Sequence, residues 1–289
     1  MGARHDQHFL IDPTAVSRIV EAYPVGGRRV LEVGPGRGVL TAALLGAGAE
    51  VTAIEYDRLL VEHLEGRFTD AIAAGTFTLV QGDAARSPWP DFELMVANLP
   101  YSISSPVVFR LLHSPYEAAV LMFQREFAER MRALIGTPGC GRLSVMVQTW
   151  ARVEACFVLP PSSFSPPPAV DSMVVRMTPR DPLFPIADPD LYADVVRSLF
   201  MQRRKTVRNG LRAAAGIFGR ETVDRLLAEL PGEVLASRPE ALYLEDFATI
   251  TNLIAAPQAG PGSTRISRRF RSRQSGGSSS FTSPSGDGP

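Results

Sequence analysis

The 289-residue sequence predicts an α/β protein in which a largely parallel sheet, covered on both faces, precedes a smaller all-helical region. Three observations support this class. Short, continuously apolar segments alternate with helical patterns between residues 28 and 134, as they do in parallel sheets. The segments 154–160 and 171–177 are typical of an antiparallel pair that closes such a sheet. Beyond residue 182 no segment is strand-like, and apolar residues recur at helical spacing.

The elements of the first region follow in chain order. A helix is expected over 13–23, because Asp12 and Pro13 have the preferences of an N-cap and a first helical position. The segment 142–151 spaces its apolar residues like a helix rather than a strand. Between these helices we predict strands over 28–34, 49–57, 77–83, 93–99 and 118–124, and helices over 39–48, 58–68, 105–113 and 125–134.

The helical region is expected to begin at residue 181 and to end at residue 256. Its helical patterns lie at about 189–201, 203–215, 220–230 and 245–255. The remaining segment, 257–289, consists mostly of Gly, Ser, Pro and Arg, a composition that predicts disorder. This tail carries five Arg and one Asp, a charge of about +4. Because the net charge of the whole chain is zero, the charge of the rest is near −4.

Composition excludes a membrane-spanning protein. No apolar run reaches the roughly 18 residues that a bilayer requires, and the N-terminus lacks the apolar segment of a secretory signal. The two cysteines, Cys140 and Cys156, have no metal-ligand spacing, so we expect no metal site and a reducing, cytoplasmic setting. A net charge of zero by itself argues against a nucleic-acid partner. However, the single lysine, Lys205, lies in the basic cluster 202–212, QRRKTVRNGLR.

Glycines follow the first strand, in LEVGPGRG at 31–38. Gly34, Gly36 and Gly38 lie between a strand and a helix, where a tight turn lets a ligand approach the backbone closely. The dinucleotide-binding fingerprint requires Gly or Ala at the position of Val39, so a nicotinamide cofactor is disfavoured. Without further signals, these glycines are also compatible with a purely structural turn.

Acidic residues end the next two strands. Glu55 follows Gly34 by 21 residues, which is where such folds hold the hydroxyl groups of a ribose. Asp83, or the backbone amide of the neighbouring Ala84, is suited to an adenine amino edge, although Gly-Asp is also a common turn. Because ligands bind at the carboxyl ends of parallel strands, we expect these residues to lie close together.

The fourth such strand ends in Asn98-Leu99-Pro100-Tyr101. This turn resembles that of the adenine-N6 methyltransferases, whose target nitrogen is a poor nucleophile. Two acceptors aimed at its N–H groups would hold that nitrogen in line with an electrophile. The side-chain oxygen of Asn98 and the carbonyl of Leu99 or Pro100 are suitable acceptors. Tyr101 offers a ring on which an extruded base can stack, worth roughly 1–3 kcal/mol.

This combination of segments resembles the S-adenosylmethionine-dependent methyltransferases, and the Asn-Leu-Pro-Tyr form resembles their adenine-N6 branch. Three further segments resemble the ribosomal RNA adenine dimethyltransferases: 6–12 (DQHFLID), 162–172 (SSFSPPPAVDS) and 199–211 (LFMQRRKTVRNGL). The resemblance covers residues 4–256. It is greater to the small-subunit enzymes than to the large-subunit resistance enzymes, and greatest to the archaeal and eukaryotic branch.

The resemblance implies a Rossmann-like class I methyltransferase domain at 1–180 and a helical RNA- or ribosome-binding domain at 181–256. It implies that S-adenosylmethionine contacts His8, Leu10, Gly34, Gly36, Glu55, Asp83, Ala84 and Asn98. It adds Phe164 as a second stacking surface beside Asn98, Leu99, Pro100 and Tyr101. The RNA-binding residues would be Arg203, Arg204, Lys205, Arg208 and Arg212, with Arg204, Arg208 and Arg212 forming a helical stripe.

The function implied by this resemblance is dimethylation of two adjacent adenosines near the 3′ end of small-subunit rRNA during ribosome biogenesis. The partner would be immature small subunits, and we expect a monomer. Three alternatives stay open. The protein could act mainly as an assembly factor, it could methylate adenine in other RNA or in DNA, or it could methylate a small molecule, which the basic cluster disfavours.

Overall fold

The computed structural model describes residues 7–256; residues 1–6 and the predicted disordered tail at 257–289 lie outside the described residues. Its strands are β1 (Phe9–Leu10), β2 (Arg29–Val33), β3 (Glu50–Glu55), β4 (Phe77–Gln81), β5 (Leu94–Asn98), β6 (Ala118–Gln124), β7 (Ala151–Leu159), β8 (Phe164–Ser165) and β9 (Ser172–Pro179). Its helices are α1 (Pro13–Glu21), α2 (Val39–Gly46), α3 (Arg58–Arg67), α4 (Thr69–Ala73), α5 (Ser104–Leu111), α6 (Arg125–Met131), α7 (Arg142–Trp150), α8 (Pro189–Met201), α9 (Val207–Ala213), α10 (Ala215–Phe218), α11 (Arg220–Glu229), α12 (Gly232–Ala236) and α13 (Leu244–Ala255).

A seven-stranded sheet forms the centre of the first region, in the order β4-β3-β2-β5-β6-β9-β7. The strands from β4 to β6 are parallel, and β9 runs antiparallel to both of its neighbours, β6 and β7. The predicted α/β class and the predicted closing antiparallel pair are therefore confirmed. Segment 142–151 is helical, as its apolar spacing indicated.

The central strands β2, β5 and β6 are buried on both faces because they are apolar at nearly every position, whereas the edge strands β4 and β7 are partly exposed. Successive residues of β5 belong alternately to two different hydrophobic clusters, with Leu94 and Val96 in one and Met95 and Ala97 in the other. Side chains of a strand alternate between the two faces of a sheet, so each cluster fills one face. The sheet therefore gives the loops at its carboxyl edge a rigid support.

A third cluster forms the core of the helical region. Tyr192, Leu199 and Phe247 pack there with Val145 and Met146 of α7. Because α7 precedes residue 180, this core includes residues from both predicted domains, and the boundary at 180/181 stays a prediction. Among the described helices, none is long and apolar enough to cross a membrane.

One helix boundary differs from the prediction in a way that affects the basic cluster. The helix expected over 203–215 begins at Val207, because Thr206 is extended and its hydroxyl accepts the N–H of Asn209 at 3.4 Å as an N-cap. Arg204 thus lies in the turn before α9. The predicted helical stripe of Arg204, Arg208 and Arg212 is therefore wrong, although Arg208 and Arg212 are both on α9.

Candidate active site

The predicted cofactor residues lie at the carboxyl ends of β2 to β5. The strand order reverses direction there, because β3 lies on one side of β2 and β5 lies on the other. Two adjoining cavities lie there and share Gln7, Gly34, Glu55 and Pro100. The first is narrow and is lined by His8, Leu10, Gly36, Asn98, Leu99 and Tyr101 as well. The second, of about 510 Å³, also contains Asp83 and Ala84 and has the size of a small-molecule site.

The glycine turn after β2 lets two neighbouring segments close over the first cavity. Gly34 and Gly36 have φ of +68° and +59°, which side chains with a Cβ rarely adopt. A Cβ at Gly36 would lie 3.0 Å from the Phe9 ring, and one at Gly34 would lie 3.2 Å from Cδ of Pro100. The glycines are therefore required by close approach of β1 and of the Asn98–Tyr101 turn.

The Glu55 carboxylate is held by main-chain amides. Its Oε2 accepts the N–H of Gly36 at 3.1 Å, and its Oε1 accepts those of Tyr56 and Asp57 at 2.9 Å. A carboxylate offers about four acceptor positions, so about one remains for a ligand hydroxyl. Burial raises the pKa of Glu55, while the three N–H groups act in the opposite direction.

A second carboxyl, Glu32, lies beside it and was not predicted. It is 1% exposed, lines the first cavity, and accepts the hydroxyl of Thr41 at 2.7 Å. Burial raises the pKa of Glu32 to about 8, and the charge of Glu55 acts in the same direction. The sequence feature that could have indicated it is an acidic residue inside the otherwise apolar strand, two residues before Gly34.

Asp83 fixes the turn that borders the second cavity. Its Oδ1 accepts the N–H of Ala85 at 2.9 Å, and its Oδ2 lies 3.6 Å from Nε of Arg86. The carbonyl of Ala84 accepts the indole N–H of Trp89 at 2.8 Å. Asp83 and Ala84 therefore form a rigid edge of the cavity.

The Asn98 amide is oriented by the main chain of the N-terminal segment. Its Nδ2 donates to the carbonyl of His8 at 3.2 Å, so its oxygen keeps an acceptor position for another donor. His8 is in turn positioned by a hydrogen bond of 2.9 Å between Nδ1 and the carbonyl of Pro166. No local sequence pattern predicts this link, which joins residues 90 positions apart.

A short antiparallel ribbon supports that segment. β1 pairs with β8, with Leu10 opposite Phe164 and Phe9 opposite Ser165. The N–H of Ile11 donates to the carbonyl of Ser163 at 2.9 Å. These strands have two residues each, too few for a period-two pattern, which is why the sequence did not predict them.

The two predicted stacking residues have different environments. Tyr101 lines the first cavity, its hydroxyl is 3.1 Å from Oγ of Ser172, and its ring centroid is 5.7 Å from that of His8. Phe164 is only 3% exposed, packs in the core cluster with Leu159 and Val174, and does not line either cavity. In this conformation its ring does not offer a stacking surface, contrary to the expectation; the structural reason is its pairing in the ribbon.

The predicted RNA-binding residues lie away from both cavities. Arg203, Arg204 and Lys205 occupy the exposed turn between α8 and α9, whereas Arg208 and Arg212 are on α9. Arg203 donates to the carbonyl of Pro138 and lies 3.8 Å from Oε2 of Glu240. Their role in RNA binding stays a prediction.

Comparison with known proteins places this geometry among methyltransferases. Residues 3–245 match the family model described as "Ribosomal RNA adenine dimethylase". A relative named "Probable ribosomal RNA small subunit methyltransferase A" from Methanospirillum hungatei is 57% identical over 256 residues, covering 89% of this chain and all of the relative. A protein of the same name from Halobacterium salinarum is 44% identical, covering 89% of this chain and 91% of its own.

Two solved structures share the fold. A dimethyladenosine transferase from Plasmodium falciparum superposes with a TM-score of 0.69 at 28% identity, covering 84% of this chain and 96% of its own. The 23S rRNA methyltransferase ErmE superposes with a TM-score of 0.61 at 26% identity, covering 86% of this chain and all of its own. The likeness extends beyond the sheet into the helical region, since both alignments exceed four-fifths of this chain.

Proposed function

Because the chain belongs to the family of ribosomal RNA adenine dimethylases, we propose that it dimethylates two adjacent adenosines near the 3′ end of small-subunit rRNA during ribosome biogenesis. The protein is an S-adenosylmethionine-dependent rRNA adenine dimethyltransferase of the Rossmann-like class I fold. The small-subunit target is supported by the names of the relatives, which refer to that subunit. We also propose that the protein is a monomer and that it acts on immature subunits in the cytoplasm.

The two cavities fit the cofactor. When bound, S-adenosylmethionine supplies a methyl group on a positively charged sulfur. We assign a ribose hydroxyl to the remaining acceptor position of Glu55 and the adenine edge to Asp83 and the amide of Ala84. His8, Leu10, Gly34 and Gly36 would line the rest of the site.

The observation that carries the proposed mechanism is the hydrogen bond from Asn98 to the carbonyl of His8. It uses the amide nitrogen and so presents the Oδ1 atom as an acceptor toward an adenine N6 amino group. A preset acceptor keeps the N6 nitrogen in place without reorganisation during methyl transfer, and positioning of this kind can lower a barrier by several kcal/mol.

The second acceptor is the carbonyl of Leu99 rather than that of Pro100. The Pro100 carbonyl already accepts the N–H of Ile103 at 3.1 Å and the hydroxyl of Ser104 at 3.2 Å. Both of its lone pairs are therefore occupied within the protein. We assign base stacking to Tyr101, and stacking on Phe164 would require the β1–β8 ribbon to move.

The helical region at 181–256 is proposed as the RNA- or ribosome-binding domain. Its basic residues Arg203, Arg204, Lys205, Arg208 and Arg212 would contact phosphates, which is the sequence-independent part of nucleic-acid binding. Charge reversal at Arg204 and Arg208 is the corresponding test of this surface.

The proposed function is tested by methyl transfer from labelled S-adenosylmethionine to three substrates: undermethylated small subunits, naked rRNA and duplex DNA. Nucleosides are identified by mass spectrometry, and the labelled positions by primer extension. We expect N6,N6-dimethyladenosine at two adjacent positions near the 3′ end, with subunit particles as the best substrate. Label on DNA would overturn the RNA substrate, and transfer to a different rRNA position would overturn the target.

A further inference from the structure

The turn after β4, residues 82–87, is held from outside the second cavity by two side chains. The carbonyl of Ala84 accepts the indole N–H of Trp89 at 2.8 Å and an Nη1 hydrogen of Arg110 at 3.1 Å. Both lone pairs of this carbonyl are then occupied. Ala84 lines the second cavity, whereas Trp89 and Arg110 line neither cavity. We refer to residues 82–87 as the adenine turn, because the adenine edge is assigned above to Asp83 and Ala84.

Arg110 donates to main-chain carbonyls instead of pairing with a carboxylate. The second hydrogen of its Nη1 is donated to the carbonyl of Ser87, at the other end of the adenine turn. Among residues 7–256, Arg110 forms no ion pair. The positive charge makes its hydrogen bonds stronger than those between neutral groups. One nitrogen therefore links both ends of the turn.

The Arg110 guanidinium is itself fixed in position. Its Cζ lies 4.2 Å from the centroid of the Trp89 ring, so the two donors to Ala84 also stack on each other. Trp89 packs edge-on against Phe92 at a centroid distance of 5.9 Å. Arg110 is on α5, whose Val107 and Leu111 are buried in a cluster of the sheet. The adenine turn is therefore attached to a rigid part of the fold.

One peptide group transmits this attachment to the Asp83 carboxylate. The carbonyl of Ala84 and the N–H of Ala85 belong to the same planar peptide. The carbonyl is held by Trp89 and Arg110, and the N–H donates to Oδ1 of Asp83 at 2.9 Å. Rotation of this peptide would break all three hydrogen bonds. The two side chains outside the cavity therefore orient the carboxylate at its edge.

The adenine turn presents a donor beside an acceptor. Within residues 7–256 the N–H of Ala84 donates to no acceptor, although Ala84 is only 4% exposed. The Asp83 carboxylate supplies the acceptor in the same cavity. This pair matches adenine, in which N1 accepts and the N6 amino group donates. Hypoxanthine has the opposite pattern at both positions, so each of its groups would face a like group.

We propose that Arg110 and Trp89 are positioning residues that make the cofactor site specific for adenine. They act through the peptide between Ala84 and Ala85, which they keep from rotating, and they do not touch the ligand. This inference rests on the proposed function, because it requires the adenine edge to lie against Asp83 and Ala84.

The test measures the preference of the protein for adenine over hypoxanthine. The probes are S-adenosylhomocysteine and its deaminated form, S-inosylhomocysteine, and the preference is the ratio of their dissociation constants by calorimetry. The wild type should prefer the adenosyl probe by at least about tenfold. Arg110→Met keeps an apolar side chain and removes the donors, so it should lower the ratio about three- to tenfold, as for a lost hydrogen bond. Arg110→Lys retains a charged donor and should recover part of the preference.

The matched control is Arg225→Met. Arg225 also donates to a main-chain carbonyl, that of Leu253 at 2.8 Å, but it does so within the helical region. This variant should keep the preference of the wild type, and melting temperatures report the stability lost by each variant. An unchanged ratio in Arg110→Met, or an equal fall in Arg225→Met, would overturn the proposal.

Trp89→Phe keeps an aromatic ring and removes only the N–H donor to Ala84, so it should lower the ratio as well. If Arg110→Met does not fold, an unchanged ratio in Trp89→Phe would overturn the proposal in its place.

Asp83→Ala separates this inference from the proposed function. It removes the acceptor itself and should lower the ratio at least as much as Arg110→Met. If Asp83→Ala lowers the ratio and Arg110→Met does not, the positioning role alone is refuted. If the wild type has no preference, or Asp83→Ala retains it, the adenine assignment of the proposed function is refuted, and the positioning role with it.

Discussion

At the residue scale, the important feature of Asn98 is that its side-chain amide donates to a main-chain carbonyl rather than to a titratable side chain. The geometry therefore does not depend on protonation. Asn98→Ala removes both the acceptor and its anchor to His8. We expect the methyl-transfer rate to fall by at least about a hundredfold, as when a transition-state hydrogen-bonding group is removed elsewhere. Because Asn98 also lines the first cavity, cofactor affinity by calorimetry should fall, but far less than the rate, and a near-normal rate would refute the assigned role.

Glu32 gives the protein a specific pH dependence. Its pKa rises from 4.5 to about 8 because the carboxyl is fully buried. Between these values the folded protein retains a proton that the unfolded chain has lost, so the free energy of unfolding falls as pH rises. The stabilisation present below pH 4.5 is lost as pH approaches 8.

Glu32→Gln should remove this dependence, because an amide does not titrate. Relative to the wild type, the variant should gain unfolding free energy as pH rises from 5 to 8, by at most about 1.4 kcal/mol per pH unit. Urea unfolding at several pH values measures this difference. Glu62→Gln, at a side chain 53% exposed on α3, is the matched control for replacing a glutamate by glutamine.

At the element scale, Asp12 links helix α1 to the ribbon that covers the first cavity. Its Oδ1 caps α1 by accepting the N–H groups of Thr14 and Ala15, and its Oδ2 accepts the hydroxyl of Ser163 at 3.1 Å. One carboxylate therefore fixes both the helix start and the position of β1. Cofactor binding should depend on it although it does not line either cavity.

Asp12→Ala should lower the free energy of unfolding by about 1 kcal/mol and also weaken S-adenosylmethionine binding. The control is Asp188→Ala, which removes an equivalent cap, two N–H groups at 2.9 and 3.0 Å, from α8. The control should lose similar stability with cofactor affinity unchanged. Equal cofactor affinities in the two variants would show that the ribbon does not shape the site.

The sequence predicted long elements better than short ones, for a physical reason. The apolar runs of β5 and β6 and the repeat of α8 each bury enough side chains to show a period. Helix α12 and the β1–β8 ribbon have five and two residues and depend on tertiary contacts. The start of α9 was misplaced because the basic residues before Thr206 are good helix formers, whereas the N-cap decides where the helix begins.

At the scale of the whole molecule, α7 joins the two regions energetically. Its Val147 packs in a cluster of the sheet, while Val145 and Met146 pack in the helical core. Unfolding one region would therefore expose apolar surface of the other. We expect a single cooperative transition across residues 7–256 despite the two predicted domains.

The two tryptophans provide the measurement. Trp89 packs against the sheet cluster, and Trp150 packs against the helical core with Tyr192 at a centroid distance of 6.4 Å. Trp89→Phe and Trp150→Phe each leave one fluorescent reporter. In both variants the fluorescence midpoint in urea should coincide with that of circular dichroism. Separate midpoints would demonstrate two independently folding domains.

The candidate site was predictable only in part, because a local sequence pattern marks some of its residues and not others. Glu55 and Asn98 end strands, Gly34 and Gly36 lie just after one, and the carboxyl edge of a parallel sheet brings strand ends together. The burial of Phe164 depends on packing between distant segments. No local pattern carries that information.

The hydrogen bond between Asn98 and the His8 carbonyl also bears on the order in which substrates bind. His8 belongs to the wall of the first cavity, so a ligand in that cavity and the amide that receives the adenine share one structural element. A ligand in the cavity would contact the segment that already holds the Asn98 amide, and so should restrain the preset acceptor further before the base arrives. We therefore expect ordered kinetics, in which S-adenosylmethionine binds first and the RNA binds second.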